Sequence, residues 1–122
     1  MLPRRWHLAS PSAFAQAYRH GRKLRADGFI CWWLPISPAG PTKIGIVTSK
    51  RVALRATKRN LYRRRLWAMV RENKKFFPAQ GYAMVVVATE AIADQSYANL
   101  TSQFKRILKQ LTPTALNKNK HA

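Results

Sequence analysis

The order of periodic segments predicts an α+β domain, helix, strands, helix, strand, helix, with the sheet covered by helices. Two observations carry that prediction. Apolar residues recur at helical spacing at Tyr62, Leu66, Met69 and Val70, and again at Leu100, Phe104, Ile107, Leu108 and Leu111, the stripe of a helix that buries one face. Two almost continuous apolar runs, residues 29–34 (FICWWL) and 82–89 (YAMVVVAT), are strand-length, rich in β-branched or aromatic residues and bounded by turn signals. At 122 residues one domain is expected, long enough to bury a real core. No repeat or linker interrupts it. The domain is placed at residues 1–111, and 112–122 (TPTALNKNKHA), which lacks any period, is read as a disordered basic tail.

Residues 1–8 read as an extended leader, since Pro3 disfavours an early helix. Ser10 and Pro11 form a start signal, N-cap and first helical position. The helix runs to about residue 18 and stops at His20-Gly21, with Gly21 as C-cap. Phe14 and Tyr18 share one face of it, and by themselves read as core residues. Residues 22–25 are a short edge strand and Asp27-Gly28 a turn. In the strand that follows, Ile30, Trp32 and Leu34 lie on one face and Phe29, Cys31 and Trp33 on the other, so cover is needed on both sides. Pairing should fail at Pro35. Residues 37–42 (SPAGPT) form a turn, and 43–50 (KIGIVTSK) the antiparallel return strand. Thr57 is the expected N-cap of the next helix, which ends near Asn73. Residues 90–96 are a loop or first helical turn before the last helix, 97–111.

The charge is extreme: 23 Lys and Arg against four acids, Asp27, Glu72, Glu90 and Asp94, for a net charge of +19. Such a chain repels itself and seeks polyanions. A hydrophobic fraction of 47% excludes a wholly disordered basic protein. No apolar run approaches the roughly 20 residues of a membrane span, and the N-terminus has no apolar signal core. Cys31 is the only cysteine. It allows no internal disulfide and no cysteine zinc site, and as part of an apolar strand it reads as a buried, inert thiol in a reducing cytoplasm.

The cations concentrate in residues 49–75, where eleven of 27 are Lys or Arg against the single acid Glu72. The Tyr62–Leu66–Met69–Val70 stripe shows that this block is a folded helix rather than a tail. Arg64 and Arg71 point to solvent, and Arg63 and Arg65 flank the stripe. Lys58 and Arg59 continue the stripe's line one turn earlier, so that first turn must project beyond the core. It carries their charge to the positive end of the helix dipole, where free backbone N–H groups make an anion site. Lys50, Arg51 and Arg55 arrive just before it. Arg outnumbers Lys seven to four in the block, which favours phosphate, and aromatics beside cations suit single-stranded nucleic acid. Protein-only phosphodiester hydrolysis needs clustered carboxylates or a positioned acid–base pair. Four dispersed acids and the scattered His7, His20 and His121 supply neither, so no residue is assigned as catalytic or as a metal ligand.

The segment SKRVALRATKRNLYRRR (49–65) resembles the signature of the bacterial ribonuclease P protein subunit. Lys50-Arg51 matches its basic pair, Arg59-Asn60 the first two residues of its Arg-Asn-Arg motif, and Arg63 and Arg64 the basic residues that follow. Residues 8–21 resemble the family's first helix, KIGIVTSKR its central strand and YAMVVVAT its last strand. Leu61 departs from the motif's third position, where Lys58 and Arg65 are the candidate replacements. The resemblance implies an α-β-β-β-α-β-α two-layer sandwich with a left-handed β-α-β crossover, similar to ribosomal proteins. It implies a ribonucleoprotein endoribonuclease acting in the cytoplasm, whose catalytic RNA holds Mg²⁺ and removes the 5′ leader of precursor tRNA, while this chain binds both RNAs without an obligate protein partner. The RNA-binding residues carried over are Lys50, Arg51, Arg55, Lys58, Arg59, Asn60, Arg63 and Arg64. Phe14, Tyr18 and Trp32 would line a 5′-leader cleft. The alternatives are a ribosomal or other structural RNA-binding protein without a role in cleavage, and a free-standing nuclease.

Overall fold

A computed structural model describes residues 6–36, 41–78 and 81–111. The expected tail, the first five residues of the leader and most of the 37–42 turn lie outside that description. The elements are α1 (Pro11–His20), β1 (Arg22–Arg25), β2 (Phe29–Pro35), β3 (Lys43–Val47), α2 (Ala56–Glu72), β4 (Tyr82–Ala88) and α3 (Tyr97–Leu111), with 3-10 turns at Lys74–Phe76 and Glu90–Asp94. This is the expected mixed α+β architecture. The sheet order is β1-β2-β4-β3.

That order corrects one expectation. Residues 43–47 run antiparallel to β2 but do not pair with it; β4 lies between them, antiparallel to β2 and parallel to β3. The reason is burial. In β4, Ala83, Met84, Val85, Val86 and Ala88 are all buried, so it takes the centre, where both faces are covered. β3 carries exposed Lys43 and the side-chain-free Gly45, and lies outside it. The leader then joins β3's outer edge: His7 bridges Ile44, and the Leu8 amide donates to the Ile44 carbonyl at 2.8 Å.

The pairing register assigns the faces. Phe29, Cys31 and Trp33 of β2 stand beside Ala88, Val86 and Met84 of β4, and with Ile44 they meet α2 and α3 in one apolar cluster. Trp33 is its hub, fully buried, with the rings of Tyr82, Phe77 and Phe104 at 5.4, 6.0 and 6.4 Å. All nine apolar residues of the two helical stripes are buried. Burial also raises the Cys31 thiol's pKa far above its ordinary value, keeping it protonated. The opposite face, with Ile30, Trp32, Val85, Val87 and Gly45, lies under α1.

Ser10 caps α1 as expected, its hydroxyl accepting from the Ala13 amide at 3.3 Å. Gly21 ends α1, though not in the left-handed conformation that makes glycine common there. Its φ is −75°, and glycine is required because a side chain would run into the Ala17 carbonyl and the Trp33 backbone. Helix α2 starts earlier than expected. Arg55, not Thr57, is its N-cap, and no side chain caps it.

Gly45 marks where α1 presses on the sheet, since a methyl group there would overlap the Phe14 ring. Gly45→Ala should destabilise the fold by about 1–3 kcal/mol through overpacking. In a Phe14→Ala background the same change should cost much less, a non-additivity that urea unfolding of the double-mutant cycle would measure; additive costs would remove the Phe14 contact as the cause.

Candidate RNA interface

Strand β3 delivers the chain to a tight turn, in which the Val52 amide donates to the Ser49 carbonyl at 3.0 Å. Lys50 and Arg51 are exposed on that turn and Arg55 at the cap of α2. Lys58 is exposed although it stands in line with buried Tyr62, so the first turn of α2 does extend past the core. None of these four side chains makes a hydrogen bond or ion pair to another described residue. The uncapped amides of α2 lie among them, so positive charge and free donors share one end of the helix. Leu54, 85% exposed, stands in the same connection.

Three of the expected contact residues are already engaged within the protein. Arg59 folds back, its Nη1 donating to the carbonyls of Ala53 at 2.9 Å and Leu54 at 2.7 Å. It is therefore half-buried and props the connection that carries Arg51 and Arg55. Arg63 reaches β3's end, donating from Nη2 to Thr48 Oγ1 at 3.0 Å and from Nη1 to Asn60 Oδ1 at 3.3 Å. Arg64 leaves the opposite side of the helix and stays exposed, apart from the group. Leu61, the departure from the motif, is half-buried against the core. Of its candidate replacements, Lys58 is exposed and Arg65 half-buried.

On the α1 side of the sheet, Phe14, Tyr18 and Trp32 come together as expected. Tyr18 is 42% exposed and meets Trp32 edge-on, with ring centroids 4.9 Å apart. Phe14 is half-buried over Gly45. Partial burial raises the Tyr18 phenol's pKa, so it stays neutral. Sequence reasoning missed Lys23, whose Nζ lies 5.5 Å from the Trp32 ring centroid. The hairpin at Asp27-Gly28 pairs Lys23 with Trp32, so counting back from that turn would have found it. Also missed was a cavity of about 280 Å³ lined by Ile30, Val52 and Val87 together with Arg51, Thr89 and Glu90. It links the sheet face under α1 to the basic turn.

The acids do not converge. Asp27 sits at the β1–β2 turn, Glu72 accepts a hydrogen bond from the Tyr97 hydroxyl at 2.7 Å, and Glu90 and Asp94 lie on a 3-10 turn. Among the described residues no three of His, Cys, Asp and Glu are grouped to hold a metal ion, and no helix is long and apolar enough to cross a membrane.

Unpaired cations around a helix N-terminus, joined to half-exposed rings on a sheet, define a small basic RNA-binding protein of α+β type. Residues 2–112 match the family model described as Ribonuclease P. The chain is 37% identical over 117 residues to the ribonuclease P protein component of Acidothermus cellulolyticus, covering 93% of this chain and 94% of that one. It is 32% identical to that of a Picosynechococcus species, covering 89% and 92%. The Staphylococcus aureus ribonuclease P protein superposes with a TM-score of 0.75 at 17% identity, over 87% of this chain and 94% of that one. The chain belongs to the ribonuclease P protein component family, the protein subunits of the ribonucleoprotein endoribonuclease that processes tRNA 5′ ends. Family membership implies association with the ribonuclease P RNA, and does not favour a ribosomal or purely structural role.

Arg59 and Lys58 should separate structural from electrostatic contributions. Arg59→Ala should lower stability by about 1 kcal/mol, because two carbonyls lose a charged donor. Lys58→Ala should leave thermal unfolding unchanged while reducing the salt dependence of RNA binding by about one counterion. An unshifted slope would remove Lys58 from the phosphate contacts.

Proposed function

We propose that this chain docks on the ribonuclease P RNA through the N-terminal end of α2 and its preceding turn, and holds the 5′ leader of precursor tRNA between α1 and the sheet. Lys50, Arg51, Arg55 and Lys58 neutralise phosphates, with Asn60 and Arg64 at the margins. Arg59 and Arg63 act chiefly by fixing the connection and the end of β3 in place. The leader runs past Phe14, Tyr18 and Trp32, with a base stacked on Trp32 and Lys23 beside it. The observation that carries this reading is the continuity of the two regions. The cavity beneath Arg51 and Val52 opens on the sheet face that also holds Trp32, so one strand can cross from stacking rings to phosphate-binding cations.

Mg²⁺ and the cleavage step are assigned to the RNA subunit. The four carboxylates of this chain are too dispersed to build a site for the ion, and no step is assigned to them. The protein's part is to offset phosphate repulsion between leader, tRNA and catalytic RNA, which raises substrate affinity and lowers the Mg²⁺ requirement. The domain (residues 1–111) with its basic tail (112–122) acts in the cytoplasm without a further obligate protein.

Cleavage of precursor tRNA at low Mg²⁺, with and without a bacterial ribonuclease P RNA, tests this. Stimulation only in the presence of that RNA is expected. Cleavage by the protein alone would mean a free-standing nuclease, and no stimulation a structural RNA-binding protein. Trp32→Ala should weaken binding of leader-bearing substrate by roughly 1–3 kcal/mol and leave leaderless tRNA unaffected. Equal losses for both substrates would assign Trp32 to packing alone.

A further inference from the structure

The side of the protein away from α1 carries a second concentration of positive charge that the proposed docking does not use. Helix α3 buries Leu100, Phe104, Ile107, Leu108 and Leu111, and its outward face presents Lys105, Arg106 and Lys109, all exposed. Three hollows follow one another across this side. The first, about 460 Å³, lies along Thr101, Ser102, Lys105, Arg106 and Lys109. The second, about 200 Å³, shares Thr101 and Lys105 with it and adds Lys75, Phe76 and Tyr97. The third, about 490 Å³, shares Glu72 and Lys75 with the second and adds Arg71 and Lys74. Shared walls make them one open furrow from the middle of α3 to the C-terminal end of α2.

Its chemistry is specific. Phe76, an aromatic ring 47% exposed, lines the second hollow, with the Lys75 ammonium 5.3 Å and the Lys105 ammonium 6.0 Å from its centroid. An exposed ring with ammonium groups near it is a stacking platform for a base whose flanking phosphates meet the cations. The single acid in the furrow, Glu72, is engaged by the Tyr97 hydroxyl. Burial first, then that bond, pushes the phenol pKa up to about 12, so the donor persists at neutral pH. The furrow lies across the sheet from Trp32 and, at 1.5 Å rise per residue, about 24 Å along α2 from its N-terminal end.

We propose that this furrow is a second RNA-binding surface, taking a single-stranded or looped RNA segment with one base stacked on Phe76 and its backbone along Lys105, Arg106 and Lys109. A strand lying there is separate from one lying under α1, so the protein bridges two RNA segments from opposite faces.

The lone native cysteine is buried, so the full chain with Ser102→Cys takes a photo-crosslinker at that position alone. The probe is an oligouridylate of about 12 nucleotides, within the usual site size for single strands. Crosslinking at position 102 is expected, undiminished by Trp32→Ala and reduced about tenfold by Phe76→Ala. The exposed-residue variant Lys105→Ala/Arg106→Ala/Lys109→Ala should lower the salt dependence of oligouridylate binding by about two counterions. No crosslink, or a crosslink and slope indifferent to these changes, would overturn the proposal. Loss upon Trp32→Ala would do so too, by tracing the crosslink to the α1 side. If the triple variant instead lost binding only to phosphatidylserine vesicles, the furrow would be a lipid-headgroup surface and the proposal wrong.

Discussion

A strand that is apolar on both faces can be stable only where both faces are covered, and β4 imposes that condition on the whole molecule. It occupies the middle of the sheet and separates β2 from β3. It requires α2 and α3 on one side and α1 on the other. The two layers are unequal. The α2–α3 side closes around Trp33 and Phe104 into a dense aromatic core, whereas the single short helix α1 leaves Tyr18 and Trp32 partly in solvent. The incompletely covered face is the one that holds the leader in the proposed function. Its shape therefore follows from the requirement that shelters β4.

Electrostatics works against this fold. Four acids cannot neutralise 23 cations, so self-repulsion is relieved mainly by bound anions. The molecule limits the cost by spreading charge to the margins: the end of α2, the edge strand β1 and the outer face of α3. Two of the cations that lie close in have partners, Arg59 with two carbonyls and Arg63 with Thr48 and Asn60. Binding of RNA and stability of the protein are linked in consequence, since a ligand that neutralises the surface also stabilises the native state.

Element types were legible because burial imposes a period: both helical stripes are buried in full, and the two apolar runs are β2 and β4. Strand order was not, because the parallel pairing of β3 with β4 is a long-range contact and leaves no local signature. The start of α2 was misplaced for a related reason. Thr57 has the usual capping side chain, but the connection before it is propped by Arg59, four residues beyond the cap, and the helix begins at Ala56 without a side-chain cap. Of the candidate site, exposure of Lys50, Arg51, Arg55 and Lys58 followed from their position relative to the apolar stripe. The grouping of Phe14, Tyr18 and Trp32 followed only from family resemblance, because Phe14 and Tyr18 alone read as core. Lys23 was within reach of a hairpin register, and Phe76 was not, since its lysine neighbour from α3 is 29 residues away in sequence.

The central position of β4 also orders events during synthesis. When β3 leaves the ribosome, its inner partner has not yet been made, and β1 with β2 can form only a hairpin. The sheet cannot close until residues 82–88 have emerged and slid between two strands that precede them, after the basic helix α2 is already outside. High contact order of this kind slows folding and exposes strand edges. Throughout that interval the nascent chain presents its cations without a completed core, beside the RNA of the ribosome that is making it.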